Sequence, residues 1–200
     1  MESSSPLDSQ VSYESIDLGS DFKRLFPNGS NSMIIREEYP RILKHIEDLR
    51  DRAERGVVVT GQPGIGEEFI TRGEYDLTLI ALGKSTFLFY VLISRILLAQ
   101  KTAFQWSSSR TFFFNDRHDV RTFTQMDRID PVGHPEMWAL SDSNADVVTP
   151  RAEFTDARSQ FFVVQATSPQ PTRWKTWSKQ LGANLAVMNP WSWQEIYIGA

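Results

Sequence analysis

Two short stretches carry residue types at a spacing that can do phosphate chemistry. The first is Gly61-Gln62-Pro63-Gly64-Ile65-Gly66, which follows the β-branched run Val57-Val58-Val59-Thr60. The second is Gly83-Lys84-Ser85-Thr86, which opens a long apolar segment. A loop written Gly-x-x-x-x-Gly-Lys-Ser/Thr between a strand and a helix wraps a triphosphate with consecutive backbone N–H groups. Its lysine reaches the β and γ oxygens, and its hydroxyl holds magnesium. Here the six glycine-rich positions stand in the right context, but residue 67 is Glu rather than Lys, and the second half arrives after an insertion at 67–83. Without that insertion the chain reads Gly-Gln-Pro-Gly-Ile-Gly-Lys-Ser-Thr-Phe-Leu, a complete motif. Gly61, Gln62, Pro63, Gly64, Ile65, Gly66, Lys84, Ser85 and Thr86 are therefore the candidate nucleotide-binding residues.

The insertion reads as a retained intron. Gly66-Glu67 can be encoded with a GTGAG donor, Asp76-Leu77-Thr78 with a CTGAC branch point, and Leu82-Gly83 with a terminal TAG; its removal keeps the frame. The rival is a genuine loop insertion, which chain length alone does not forbid. Geometry opposes it, because the anion nest needs unbroken N–H groups, and Glu67 and Glu68 would bring carboxylates to a triphosphate. Nucleotide binding by the chain as written is expected to be impaired.

A phosphate loop needs a carboxylate at the end of another strand to hold the metal. Met137-Trp138-Ala139-Leu140-Ser141-Asp142 supplies one, so Lys84 and Asp142 are the candidate catalytic residues and Ser85 and Asp142 the candidate Mg2+ ligands. The alternative for Asp142 is an ordinary solvated strand-end aspartate. Ser143 and Asn144 follow it where a water-activating glutamate would stand, and Asp146 is a poor substitute. The segment 165–169 either places a polar sensor beside the γ-phosphate or simply turns the chain. Arg173 and Lys175 either contact phosphate or sit on a solvated helix face.

Other chemistries are excluded or weak. The 200-residue chain has no cysteine, so disulfides, thiolate zinc sites and cysteine nucleophiles are absent. His45, His118 and His134 lack ligand spacing, and no Gly-x-Ser-x-Gly elbow occurs. A net charge of −4 argues against nucleic acid as partner, and Trp174, Trp177, Trp191 and Trp193 read as core or lid packing rather than base-stacking platforms. The apolar window 87–99 is too short for a membrane span and contains Arg95. With no secretory leader, an intracellular location, cytoplasmic or nuclear, is expected.

The elements that would position these residues follow from periodicity. Residues 1–33, with nine serines, read as a mostly disordered leader carrying a short strand at 16–18. Residues 34–200 form the domain. Tyr39, Ile42, Leu43, Ile46 and Leu49 predict an amphipathic helix over 36–55, and 57–60 a strand buried on both faces. A helix over 85–100, apolar nearly all round, is expected to be deeply buried. Strands are predicted at 102–106, 110–114, 137–140, 161–166 and 185–188, a helix at 172–181, and irregular polar chain at 115–135. This alternation gives an α/β fold with helices on both faces of a mainly parallel sheet.

The runs Val-Val-Val-Thr-Gly-Gln-Pro-Gly-Ile-Gly, Lys-Ser-Thr-Phe-Leu-Phe-Tyr-Val-Leu, Trp-Ala-Leu-Ser-Asp, Val-Val-Gln-Ala-Thr-Ser-Pro, Arg-Trp-Lys-Thr-Trp and Met-Asn-Pro-Trp-Ser-Trp-Gln-Glu-Ile resemble the fungal P-loop NTPases akin to Crinkler and retrotransposon-hot-spot proteins, over about residues 36–200. The resemblance implies a three-layer sandwich of the additional-strand ATPase type with a five-stranded sheet in the order 5-1-4-3-2. It also implies ATP and Mg2+ as ligands and hydrolysis as the activity. The chain departs from such relatives in its split loop and in stopping at Ala200, where they continue into a helical lid, which reads as a C-terminal truncation. The competing function is a non-catalytic protein-interaction scaffold that retains a degenerate NTPase fold.

Overall fold

The structure is a computed structural model that describes residues 15–17, 32–61, 83–116, 119–190 and 192. The periodic segment at 36–55 forms helix α1 (Glu38–Asp51), which buries Tyr39, Ile42, Ile46 and Leu49. The β-branched run forms β3 (Gly56–Gly61), buried at every position, as expected of a strand covered on both faces. Before it, a two-stranded antiparallel ladder joins β1 (Ser15–Asp17) to β2 (Ser32–Ile34). The rest of the predicted leader lies outside the described residues.

After α2 (Gly83–Leu97) come β4 (Thr102–Ser107), β5 (Arg110–Phe114), β6 (Val120–Thr124), β7 (Trp138–Asp142), the short α3 (Ala152–Thr155), β8 (Phe162–Ala166), a 3-10 turn (Pro171–Arg173), α4 (Lys175–Leu181) and β9 (Asn184–Met188). One sheet of seven strands runs β6-β5-β4-β7-β8-β3-β9. The contacts from β4 to β7, β7 to β8, β8 to β3 and β3 to β9 are parallel. Numbered 1 to 5 in chain order, the parallel strands lie in the order 5-1-4-3-2. The expected count of five is corrected to seven, because β5 and β6 add two antiparallel strands at the β4 edge.

Three further expectations change. Residues 115–135 are not wholly irregular, since β6 lies among them, exposed along nearly its whole length. Helix α2 buries one face, through Phe87, Leu88, Val91, Leu92 and Arg95, while Leu97 is 76% exposed. The predicted helix at 172–181 divides at Trp174 into the 3-10 turn and α4.

Two apolar layers follow from strand alternation. Val57, Val59, Leu140, Phe162 and Val164 face α1 and α2, where Tyr39, Ile46, Phe87 and Val91 cover them. Val58, Ala139 and Val163 face the opposite layer, with Phe154, Phe161, Trp177 and Leu181. Gly56 lets the layers close, since a Cβ there would meet the Val163 carbonyl at 2.8 Å and the Trp177 ring at 3.3 Å. Among the described residues, no helix is long and apolar enough to cross a membrane.

Leu140, at 0% exposure, sits in the middle of the first layer. Leu140→Ala is expected to cost about 2–5 kcal/mol through lost burial and an unfilled cavity. Leu97→Ala should stay within about 0.5 kcal/mol, as at other exposed positions. Urea denaturation of the two variants checks the contrast.

Candidate functional site

Side-chain alternation along β7 sends Trp138 and Leu140 into the layer that contains α2, so Asp142 at the end of the strand points the same way. Helix α2 starts beside that end. The Ser85 hydroxyl hydrogen-bonds the Asp142 carboxylate, and the Lys84 charge lies close enough to favour its ionised form. Lys84, Ser85 and Asp142, singled out from two motifs far apart in the chain, are thus brought together. Burial is the largest influence on Asp142 and pushes its pKa up; the Ser85 hydrogen bond and the Lys84 charge oppose that shift without cancelling it. Asp142 is therefore no ordinary solvated strand-end aspartate.

Of the other predicted residues, Gly61 ends β3 opposite Met188, whose carbonyl would stand 3.3 Å from an added Cβ. Thr86 is partly buried in the first turn of α2. Gln62, Pro63, Gly64, Ile65 and Gly66 lie outside the described residues, as does the insertion apart from Gly83.

The segment 165–169 divides between two roles. Gln165 is fully buried beneath the sheet, where its Oε1 accepts from Trp177 Nε1 at 2.7 Å and its Nε2 donates to the carbonyls of Val148 and Arg173. It is a packing residue. Thr167 stands at the carboxyl end of β8 with its N–H on the Val59 carbonyl at 3.0 Å, and its buried hydroxyl has no partner among the described residues. The Thr60 hydroxyl at the end of β3 is in the same condition. Buried polar atoms without partners are uncommon; among the described residues Thr111 Oγ1 and Trp174 Nε1, away from this edge, share the condition.

Arg173 is not on a solvated face. Its Nη1 donates to the Ser143 hydroxyl at 3.1 Å and to the Asn144 carbonyl at 2.7 Å, which fixes the two residues directly after Asp142. Lys175 is exposed. Asp146 accepts the Ser108 N–H and hydroxyl, both at 2.7 Å, and so caps the turn between β4 and β5 instead of facing the site. His134 packs against the rings of Phe113 and Phe161, and His118 lies outside the described residues. Trp177 is a core residue, whereas Trp191 and Trp193 lie outside the described residues.

Residues around the start of α1 that the sequence reading treated only as a helix also bear on the site. The buried Tyr39 hydroxyl donates to the Gly83 carbonyl at 3.0 Å, which pins the peptide preceding Lys84. Glu38 accepts the Asn189 N–H at 2.7 Å and pairs with Arg41, while buried Arg36 donates to the carbonyls of Asn189 and Pro190. This knot joins the entry to α1, the start of α2 and the chain leaving β9. The available signal was Tyr39 at the head of the apolar stripe; nothing in the spacing marked Arg36 or Glu38 as buried.

Ser85 and Asp142 present hard oxygen donors, which suit Mg2+. Among the described residues no group of three or more His, Asp or Glu gathers as a metal cage. Mg2+ held through one or two side chains and substrate phosphates needs none.

The raised pKa of Asp142 fixes the sign of a pH effect. Between the unfolded carboxyl value and the higher folded one, the native state holds more protons, so this residue's contribution to stability falls as pH rises through that window. Asp142→Asn removes the cost of the buried charge while keeping an acceptor for Ser85. Its melting temperature should equal or exceed that of the parent at pH 7, and the difference should shrink as pH falls toward 4, read by thermal denaturation across that range.

No family model matches the chain, and comparisons with curated proteins and with solved structures return no match.

Proposed function

We propose that the chain is a P-loop NTPase domain that binds a nucleoside triphosphate, ATP, with Mg2+ at the carboxyl end of its parallel sheet. The observation that carries the reading is the hydrogen bond from Ser85 to Asp142 with the Lys84 charge beside it, because it joins the two halves that phosphate chemistry requires. The 5-1-4-3-2 order of the parallel strands supports it, with β8 between the strand that feeds the loop and the strand that ends in Asp142. Sites at such edges lie where neighbouring connections leave the sheet in different directions.

In this reading Lys84 offsets negative charge on the transferring phosphoryl group, and Ser85 and Asp142 hold the cation. Mg2+, when bound, neutralises charge on the phosphate oxygens. Thr60 and Thr167, at adjacent strand ends, carry buried hydroxyls without partners among the described residues, where a phosphate or its attacking water would meet them. Hydrolysis of the β–γ bond is the activity of an intact site.

The second reading is a scaffold that kept the fold and lost turnover. It is favoured by Ser143 and Asn144, which occupy the positions after Asp142 and are both engaged by Arg173, so no carboxylate there activates water. The insertion favours it too, by separating Gly66 from Lys84 and adding Glu67 and Glu68.

Calorimetric titration with Mg-ATP of the chain as written, and of a form lacking residues 67–83, separates these readings. Binding by the shortened form alone is expected, with Lys84→Ala in that form weakening it by about 100-fold. Binding by neither form favours the scaffold. Tight binding by the chain as written overturns the view that the insertion disrupts the anion nest.

A further inference from the structure

The end of the sheet opposite the candidate site carries an open cleft of about 690 Å3, bordered by α1, the last turn of α2, the residues that lead into β4 and the start of β7. That volume falls within the range of small-molecule sites. Its floor is Arg95, 6% exposed, with its guanidinium 4.0 Å from the centre of the Trp138 ring. Arg95 Nε donates to the Thr102 hydroxyl at 2.9 Å and Nη2 to the Lys101 carbonyl at 3.0 Å. Among the described residues Nη1 has no acceptor, and no carboxylate stands within ion-pair distance of this guanidinium.

Removing one partner from a buried charge is costly, and a buried guanidinium that never had a carboxylate carries the same cost. Stacking on Trp138 offsets part of it. Burial pushes the Arg95 pKa down to about 10; the Glu47 charge opposes the shift and the Arg50 charge adds to it. Arg50, beside the Phe162 ring at 5.9 Å, also lines the cleft and also lacks a carboxylate partner among the described residues. Two guanidiniums line one cleft with no carboxylate partner among the described residues, and guanidinium is the donor group that binds a carboxylate in a fork.

The rim has a different character. Lys44 is already paired with Asp48 at 2.7 Å. Glu47, Asp51 and Glu136 are exposed and have no ion pair among the described residues. Cationic donors on the floor and free carboxylates at the mouth complement a molecule that carries both charges.

We propose that this cleft binds a carboxylate-bearing zwitterion, either a free amino acid or a short peptide segment of mixed charge, with its carboxylate on Arg95 and Arg50 and its cationic group toward Glu47, Asp51 and Glu136. The site lies at the other end of the sheet from Lys84 and Asp142 and stands independently of the nucleotide reading.

The test uses the full chain, titrated calorimetrically with a Glu-Lys dipeptide, L-glutamate and citrate at matched ionic strength, with thermal denaturation alongside. Saturable binding of the dipeptide or glutamate is expected, weakened at least tenfold by Arg50→Ala and by Arg95→Met. If Arg95→Met fails to fold, Arg50→Ala, at a half-buried position, decides the matter alone. Tighter binding of glutamate than of dipeptide identifies a free amino acid as the source, and the reverse order a peptide. Citrate binding as tightly as either zwitterion would overturn the assignment in favour of a plain oxyanion site. Absence of saturable binding by any probe, or unchanged affinity in Arg50→Ala, would also overturn it.

Discussion

The strand β3 must be paired on both edges and covered on both faces, and the rest of the architecture answers that demand. Its backbone hydrogen-bonds β8 on one side and β9 on the other. Val57 and Val59 require α1 and α2 above, while Val58 requires the layer of Trp177 and Leu181 below. A strand held from four directions has no freedom at its end. Gly61 therefore leaves the sheet at a fixed point; the start of α2 is held beside Asp142 by the Ser85 hydrogen bond. Tyr39 adds a further restraint, because its hydroxyl holds the Gly83 carbonyl while its ring packs against Phe87 of the same helix.

Polar groups divide along the same axis. Beneath the sheet, Gln105, Ser141 and Gln165 lie in one register row, and hydrogen bonds join Ser141 to Gln105 and Trp177 to Gln165. Those bonds fix alignment, since a slip of one residue would bury unpaired amides, although Thr111, opposite Gln105 in the same row, has no partner for its buried hydroxyl among the described residues. At the carboxyl edge, burial opposes the ionised form of Asp142, and the Thr60 and Thr167 hydroxyls have no partners among the described residues.

Most of the frame was legible in the sequence because it rests on periodicity. The stripe from Tyr39 to Leu49 and the runs at 57–60 and 161–166 announced their elements with little ambiguity. Strand β6 was hidden because Val120-Arg121-Thr122-Phe123-Thr124 is an exposed edge with no core face to imprint a pattern. The burial of α2 was overstated, since an apolar residue such as Leu97 can face solvent at modest cost. The meeting of Ser85 with Asp142 was readable only because each was read as half of a phosphate site whose chemistry needs the other. Arg36, Glu38 and Arg95 were not readable, because a charged residue that is buried and one that is solvated look alike until the fold supplies carbonyls, amides or an indole ring to receive them.

The order of pairing also bears on how the polypeptide is made. The two partners of β3 are residues 162–166 and 184–188, so about 100 residues of chain must follow β3 before its first edge is closed. During synthesis the Val-Val-Val segment remains an unpaired, apolar strand, while the β4–β5–β6 hairpins, built from near neighbours, can form at once. The strand that is paired and covered on every side in the finished molecule, although it lies only one place from the sheet edge, is thus an unpaired apolar segment of the nascent chain.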